Sequence, residues 1–520
     1  MATIEQLLPG GRGAPAFVLA LRDTQYLGYH VAGALLTRAF GDAVLANRLL
    51  LAAIGLAWPL ALRSLLRALG RDDRAAAFAP MIFWNRALLI GFLPFVASLP
   101  IAVFTVSLVV RQAREPTRGR GVALGLVTVL LVYTHISAWL AACAIGGAIA
   151  LASCWIERSE GQKRPSLRPL LTILPTFVPS GIGALVWWTA GSLAIRGQQL
   201  DVDRGRLADA VNLMPLWTFD IWSGRLDDVA AGCWWTAYAI IIAAGLKRPL
   251  ESGGRWIIAT LPFAVVAVIY LATPSRVGAA GLLNVRLAPL LVLFALVALR
   301  VRDDRWGTIP LAMTAFATIF DAGATTYETR RVAMEEIGAF DPLLDAMAPG
   351  SRVALVNFVT SSRRMDEWPY PFAGGLHRAR RGGIVGYSFV ETPHWSVHYA
   401  NDAGPPAHSF LWVYDPCVYR YVVDGTYYDY VLVKGAVDPF PPRTPGPPFT
   451  AVAHAGMFTL FAKVEGPPFD VTNDARGPCN APPKDAGADA DADADAGAEA
   501  DAVAEADSDA AADAGTPTSP

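Results

Sequence analysis

The sequence predicts an α-helical polytopic membrane bundle followed by a small extracytoplasmic α/β domain and a disordered acidic tail. Three observations carry that expectation. Of the 520 residues, 53% are hydrophobic and only 17% charged, against about 45–50% and about 25% in soluble domains. The apolar residues, with a mean hydropathy of +0.36, are bunched into membrane-length runs. The gaps between those runs are alternately crowded with Lys and Arg and nearly bare.

Residues 1–42 read as an outer amphipathic segment with neither a signal peptide nor a span. Ala14 to Leu21 is its one short apolar run. An outside amino terminus then requires either a first transmembrane helix upstream of Met1 or translocation of a short tail without a signal.

The bundle follows over residues 43–326. A hydrocarbon layer of roughly 30 Å takes about 20 apolar residues, and runs near that length lie at 43–62, 169–195, 231–246, 256–272, 284–299 and 306–325. Ala75 to Val110 and Gly121 to Ile156 are too long for one pass. Each has polar residues near its middle, Asn85 and Arg86 in one and Thr134 and His135 in the other, and each is expected to be a tight helical hairpin.

Charge decides the count. Cytoplasmic loops collect Lys and Arg, and two passes per hairpin put every basic gap on one side: Arg63 to Arg74, Arg111 to Arg120, Arg158 to Arg168, Lys247 to Arg255 and Arg300 to Arg305. About ten helices result, and by parity residues 1–42, the turns at Arg86 and His135, the loop 196–230, the gap 273–283 and everything after 326 are expected on the outside.

Residues 327–466 read as one small α/β domain. A helical pattern continues out of the last run to Pro349-Gly350, and strands are expected at Arg352 to Phe358, Gly383 to Phe389, Tyr428 to Val433, Phe449 to His454 and Met457 to Val464, the last two as a hairpin around Ala455-Gly456. From 467 to 520 the chain is an Ala/Asp-rich tail with eleven acids and no base between Asp485 and Asp513. Such a run buries too little apolar surface to offset the entropy of ordering. Without it, the rest of the chain is net basic.

Of five cysteines, Cys143, Cys154 and Cys233 fall in or beside spans, whereas Cys417 and Cys479 lie outside and are able to pair. Five of the seven histidines sit in the carboxyl domain; His394 and His398 have i, i+4 spacing, but Pro393 and the surrounding β-formers argue against the helix that a metal pair needs. GGLHRARRGG reads as a turn flanked by solvated arginines, with a phosphate contact as the sharper alternative. No nucleotide-sugar, dinucleotide or Walker signature is present.

At this point the chain resembles the polytopic glycosyltransferases of the GT-C superfamily, in particular a poorly characterised bacterial branch with an extracytoplasmic α/β domain. YLGYHVAGALLTRAFGDAVLANRLLL, GFLPFVASLPIAVFTVSLVVRQ, LLVYTHISAWLAA and NVRLAPLLVLFALVAL carry the likeness through the bundle; FDPLLDAMAPGSRVALV, YDYVLVKG and MFTLFAKV extend it to about residue 465. The resemblance implies a multi-pass protein of the bacterial plasma membrane that moves a sugar from a polyprenyl phosphate to a glycan, lipid or protein acceptor at the outer face. Membrane lipid is then a partner and nucleic acid is not.

Transfer from a lipid phosphate needs a carboxylate to take the acceptor proton and cations for the leaving phosphate. In the family that carboxylate follows the first span. Here LALRDTQYLGYH offers Asp23 alone, without the family's acidic motif, so the base is Asp23 or lies upstream of Met1. Ionisable residues within spans usually face a cavity or partner, which singles out Arg86, His135 and Arg286, the last also by the resemblance. In the loop 196–230, Trp217 and Trp222 among six Asp suit a sugar or acceptor site, with interfacial anchoring as the plainer reading. No metal ligand is assigned, and a divalent metal is left open as cofactor. The competing class is a non-catalytic protein, a pseudoenzyme or a lipid-linked glycan transport or assembly factor with an outer binding domain.

Overall fold

A computed structural model describes residues 1–8, 16–20, 24, 26–159, 166–195, 202–203, 207–246, 255–277, 282–365, 373–386, 388, 390, 395–400, 403–405, 411–413, 415–419, 425–436, 439–440 and 449–465. The acidic tail, Asp23, His394, His408 and Cys479 lie outside the described residues.

The fold is mostly helical. α1 (Ala2–Leu7), β1 (Phe17–Leu19) and α2 (Leu27–Phe40) precede a bundle of α3 (Ala43–Leu69), α4 (Ala79–Phe83), α5 (Arg86–Leu89), α6 (Leu93–Arg114), α7 (Arg118–Thr134), α8 (Ile136–Ser159), α9 (Arg168–Ile195), β2 (Val202–Asp203), α10 (Leu207–Phe219), α11 (Leu226–Leu246), α12 (Arg255–Ala272), β3 (Arg276–Val277), α13 (Ala288–Ala295) and α14 (Arg305–Arg331). The carboxyl domain adds α15 (Asp341–Ala346), β4 (Arg352–Asn357), α16 (Gly375–Arg381), β5 (Ile384–Val385), β6 (Val397–Tyr399), β7 (Tyr430–Lys434), β8 (Phe449–Ala455) and β9 (Phe458–Lys463). Five helices among the described residues are long and apolar enough to cross a membrane: α3, α6, and the apolar stretches of α8, α9 and α11; two shorter apolar helices cover Trp256–Ala272 and Val285–Ala298.

Contacts fix the directions of these helices. α3 and α6 run parallel, since Ser64 Oγ lies 2.9 Å from Ser107 Oγ while Arg114 donates to the Ala68 carbonyl at 2.6 Å. The chain between them must therefore return along the bundle. It does so in pieces: Asp73 accepts from Arg63 and Arg67 at 2.8 and 2.7 Å beside the end of α3, and Phe83 packs at mid-helix over Gly55.

This corrects the expected hairpin over Ala75 to Val110, of which only α6 is a long helix. Pro80 opens α4, Gly91 has φ +93°, and the fully buried Asn85 joins the broken ends. Its amide donates to the Ile82 and Phe83 carbonyls at 2.9 and 3.0 Å, and its Oδ1 accepts from Leu88 N–H at 3.2 Å. Buried backbone groups have to be paired, and this one side chain pairs those a break would orphan.

The second long run does reverse. Gly125 approaches the Thr176 carbonyl and Gly183 the Tyr133 ring, so α7 and α9 are parallel; Trp139 Nε1 donates to Ser180 Oγ at 3.0 Å and Gly146 meets Phe177, so α8 runs back. His135 is the single residue between them.

The first and last basic gaps meet at one end. Arg74 Nη2 is 2.7 Å from Asp303 Oδ1, joining the first gap to the last, and Gly245, next to the Lys247 gap, packs on Arg300. At the opposite end β2 pairs with β3, and the turn after α10 meets the carboxyl domain through Ser223 N–H to the Arg364 carbonyl at 2.9 Å. Arg364 also reaches Glu328 and Glu335 on the α14 extension, at 3.2 and 2.6 Å.

The domain is a five-stranded sheet in the order β5-β4-β7-β9-β8, parallel across its first three strands. Both faces are covered: Val353 and Leu355 pack under α15 with Phe340, Leu343 and Met347, while Ala354 and Val356 pack with Trp412, Tyr428 and Phe461. That is why β4 reads as an unbroken apolar run. The hairpin turns at Gly456, φ +55°, where a Cβ would stand 2.6 Å from the Ile337 carbonyl oxygen. Two further strands tie the amino-terminal segment to the carboxyl domain, β1 pairing antiparallel with β6.

GGLHRARRGG is a helix rather than a turn, α16, with His377 buried and its ring 3.2 Å from Ser351 Oγ. His398 lies on β6, an extended segment. Cys417 is disulfide-bonded, and Cys143, Cys154 and Cys233 are free thiols.

Candidate functional site

The polar residues of the bundle converge at the end that meets the carboxyl domain. α2 lies directly on the α7–α8 turn, because a Cβ at Gly28 would stand 2.6 Å from Thr134 Oγ1 and 3.3 Å from the Tyr133 carbonyl oxygen. Only glycine permits that approach. It sets the Tyr26 ring 5.3 Å from the His135 ring, with Phe95 5.0 Å away on another side.

His135 is nearly buried, at 4% exposure. Its Nδ1 accepts Ser137 N–H at 3.3 Å, capping the first turn of α8. An accepting Nδ1 leaves the ring proton on Nε2. His135 is thus built as a hydrogen-bond donor, not as a base.

Arg286, on the turn Val285–Leu287, is within electrostatic reach of both His135 and Tyr26, and its guanidinium lies 3.9 Å over the Phe92 ring. Arg86 opens α5 and lies 5.9 Å over Trp217 of α10. α10 packs against both α5 and the Arg286 turn, so the two arginines flank one helix.

The carboxyl domain covers this cluster. Trp395 sits 5.8 Å from Tyr26 and 4.9 Å from His30, ring to ring. Beside them is a cavity of about 130 Å³ bounded by Met1, Thr3, His30, Arg378 and Trp395. Arg378 donates to Thr3 Oγ1 at 2.7 Å and stacks 3.6 Å over Phe17, and burial lowers it to about 10. Burial, with the amino-terminal ammonium beside it, pushes His30 down to about 3. Its Nε2 is sealed from solvent and has no hydrogen-bond partner among the described residues.

Of the residues singled out from sequence, His135 and Arg286 are brought together and Arg86 is paired with Trp217. Asp23 lies outside the described residues; Tyr26, three residues on, stands at the cluster. Trp217 and Trp222 are buried, at 4% and 2% exposure, which overturns the interfacial-anchor reading. Trp222 also stands apart, fastened to α14 by Nε1 donation to Thr325 Oγ1 at 3.3 Å. Tyr26 and His30, one helical turn apart in YLGYH, were legible as a pair of polar aromatics. Phe92 and Trp395 had no such signal.

No family model matches the chain, and neither a curated protein nor a solved structure matches it.

Proposed function

We propose that the chain is a membrane glycosyltransferase that moves a sugar from a polyprenyl-phosphate donor to an envelope glycan, lipid or protein acceptor. The observation that carries this reading is Arg286 held over Phe92 within reach of His135 and Tyr26, beneath the Trp395 edge of the carboxyl domain. A fixed guanidinium beside an imidazole N–H donor suits a phosphate whose charge grows as it leaves. Aromatic edges around it suit the apolar faces of a sugar ring.

In this reading the acceptor hydroxyl gives its proton to a carboxylate, with Asp23 as the candidate base, and its oxygen bonds the anomeric carbon. The carbon–oxygen bond to the lipid phosphate breaks, and the electron pair leaves with the phosphate. Arg286 and His135 stabilise that charge. About ten passes, with the arginine-rich end in the cytoplasm of a bacterial cell, put the site and the carboxyl domain outside. The disulfide at Cys417 supports that orientation, since disulfides persist in oxidising compartments.

The test is transfer by the purified full chain in detergent, supplied with radiolabelled polyprenyl-phosphate sugars and a membrane extract as acceptor source. Label moved by the wild type and lost in Arg286→Gln supports the proposal. Binding of donor without transfer would instead favour a non-catalytic glycan-handling protein.

A further inference from the structure

Arg378 is a largely buried cation with no acid to answer it. Of the arginines on α16, Arg380 pairs with Asp341 and Arg381 with Asp345, whereas no carboxylate reaches Arg378 among the described residues. Its guanidinium is nevertheless fixed. Nε and Nη2 both donate to Thr3 Oγ1, at 2.9 and 2.7 Å, and the group stacks 3.6 Å over the Phe17 ring. Nη1 is left sealed from solvent, with no hydrogen-bond partner among the described residues. Buried charges are ordinarily paired, because taking one out of water is costly.

A second orphan belongs to the same cavity. The void of about 130 Å³ is lined by Arg378, Thr3, Ser388, Trp395 and His30, and His30 Nε2 is likewise buried and unpartnered among the described residues. Two polar atoms left unmatched at one void are both satisfied by a single guest that accepts hydrogen bonds. A water's share of liquid volume is about 30 Å³, so the space equals roughly four waters, or a carboxyl group with the first atoms of the molecule that bears it.

Charge selects the guest. Burial holds His30 at about 3, so its ring is neutral at pH 7, and burial pushes the Met1 amino group down to about 6. Arg378 then supplies the one full positive charge, which matches a monoanion. A phosphate monoester, at about −1.5 to −2, would bring in charge that nothing balances.

We infer that this cavity, between the amino-terminal segment and the carboxyl domain, binds a carboxylate through Arg378 Nη1 and His30 Nε2–H, with Trp395 against the molecule that bears it. The ligand class is a small organic acid or an acidic sugar. The site uses none of Arg286, His135 and Tyr26, and it does not depend on the transfer reaction.

The experiment is saturation-transfer-difference NMR on the purified full-length protein in detergent at neutral pH, with acetate, glucuronate, glucose and glucose 6-phosphate as probes and melting temperature as a second readout. Glucuronate or acetate should bind and raise the melting temperature; glucose and glucose 6-phosphate should bind at least about tenfold more weakly. His30→Phe keeps a ring beside Trp395 and removes both nitrogens, and it should weaken binding of the acid by about tenfold. Arg378→Met should abolish it. Because Arg378 also holds Thr3 and Phe17, His30→Phe carries the test should the α16 variant not fold. Arg286→Gln should bind the acid as the wild type does. Acetate bound as tightly as glucuronate would make the ligand a bare small acid, and a preference for glucuronate would make it an acidic sugar. Binding of neither acid, equal binding of glucose 6-phosphate, or binding that survives His30→Phe but is lost in Arg286→Gln would overturn the inference.

Discussion

Arg74 Nη2 and Asp303 Oδ1 stand 2.7 Å apart although 229 residues separate them in the chain. The first and last arginine-rich gaps meet at this pair, and Gly245 packs on Arg300, so the bundle has one basic end and one end occupied by His135, Arg286 and the carboxyl domain. Exposed pairs of this kind add little stability; what this one marks is which loops share a side. With the basic end in the cytoplasm, a cysteine at Ser223 should react with a membrane-impermeant maleimide on intact cells. One at Glu115, exposed at the basic end, should react only after permeabilisation. The reverse pattern would move the site to the cytosol and end the case for a lipid-borne donor.

Arg286 gives the most direct prediction about chemistry. Removing a preorganised group that stabilises developing charge typically costs about 10²–10³ in turnover, so Arg286→Gln should lower transfer by about a hundredfold with little change in melting. Arg286→Lys should restore only part of it, since an ammonium lacks the planar fork that both grips phosphate and stacks on Phe92. Equal activity in all three proteins would leave Arg286 a packing residue.

The apolar helices were legible because run length and arginine placement are local properties: α3, α9, α11 and α12 begin and end within a few residues of charged or glycine boundaries. The domain's strands were legible for the same reason, with β4, β7 and the β8–β9 hairpin where β-branched runs and Ala455-Gly456 put them. The first hairpin was misread because apolar content does not report continuity; Pro80, Asn85 and Gly91 were the signals that the helix breaks. Tyr26 against His135, and Trp395 against both Tyr26 and His30, are contacts between distant segments, which no local pattern encodes.

His135 separates two roles in one side chain. Its Nδ1 caps α8 and its Nε2–H is left to donate. His135→Ala loses both and should cost about 0.5–2 kcal/mol of stability together with transfer activity. His135→Asn keeps a capping oxygen, so it should melt close to wild type while transfer stays low. An Asn variant with full activity would make the residue a helix cap only.

Lys434 predicts how stability follows pH. Its side chain is fully buried in β7, with Nζ donating to the Val359 carbonyl at 2.7 Å, and burial lowers it from 10.5 to about 7 despite the pull of Glu336. Below about pH 7 it is charged in the folded and unfolded chain alike, so it adds no pH dependence there. Between about 7 and 10.5 only the unfolded chain holds the proton, and stability should therefore rise with pH across that window. Lys434→Met removes the buried charge while keeping the volume; at pH 6 it should stabilise the protein by about 1–4 kcal/mol, and it should flatten the rise. Thermal melts of the wild type and Lys434→Met from pH 6 to 10 would show this as two curves that converge at high pH, whereas parallel curves would mean that Lys434 stays charged in the folded protein.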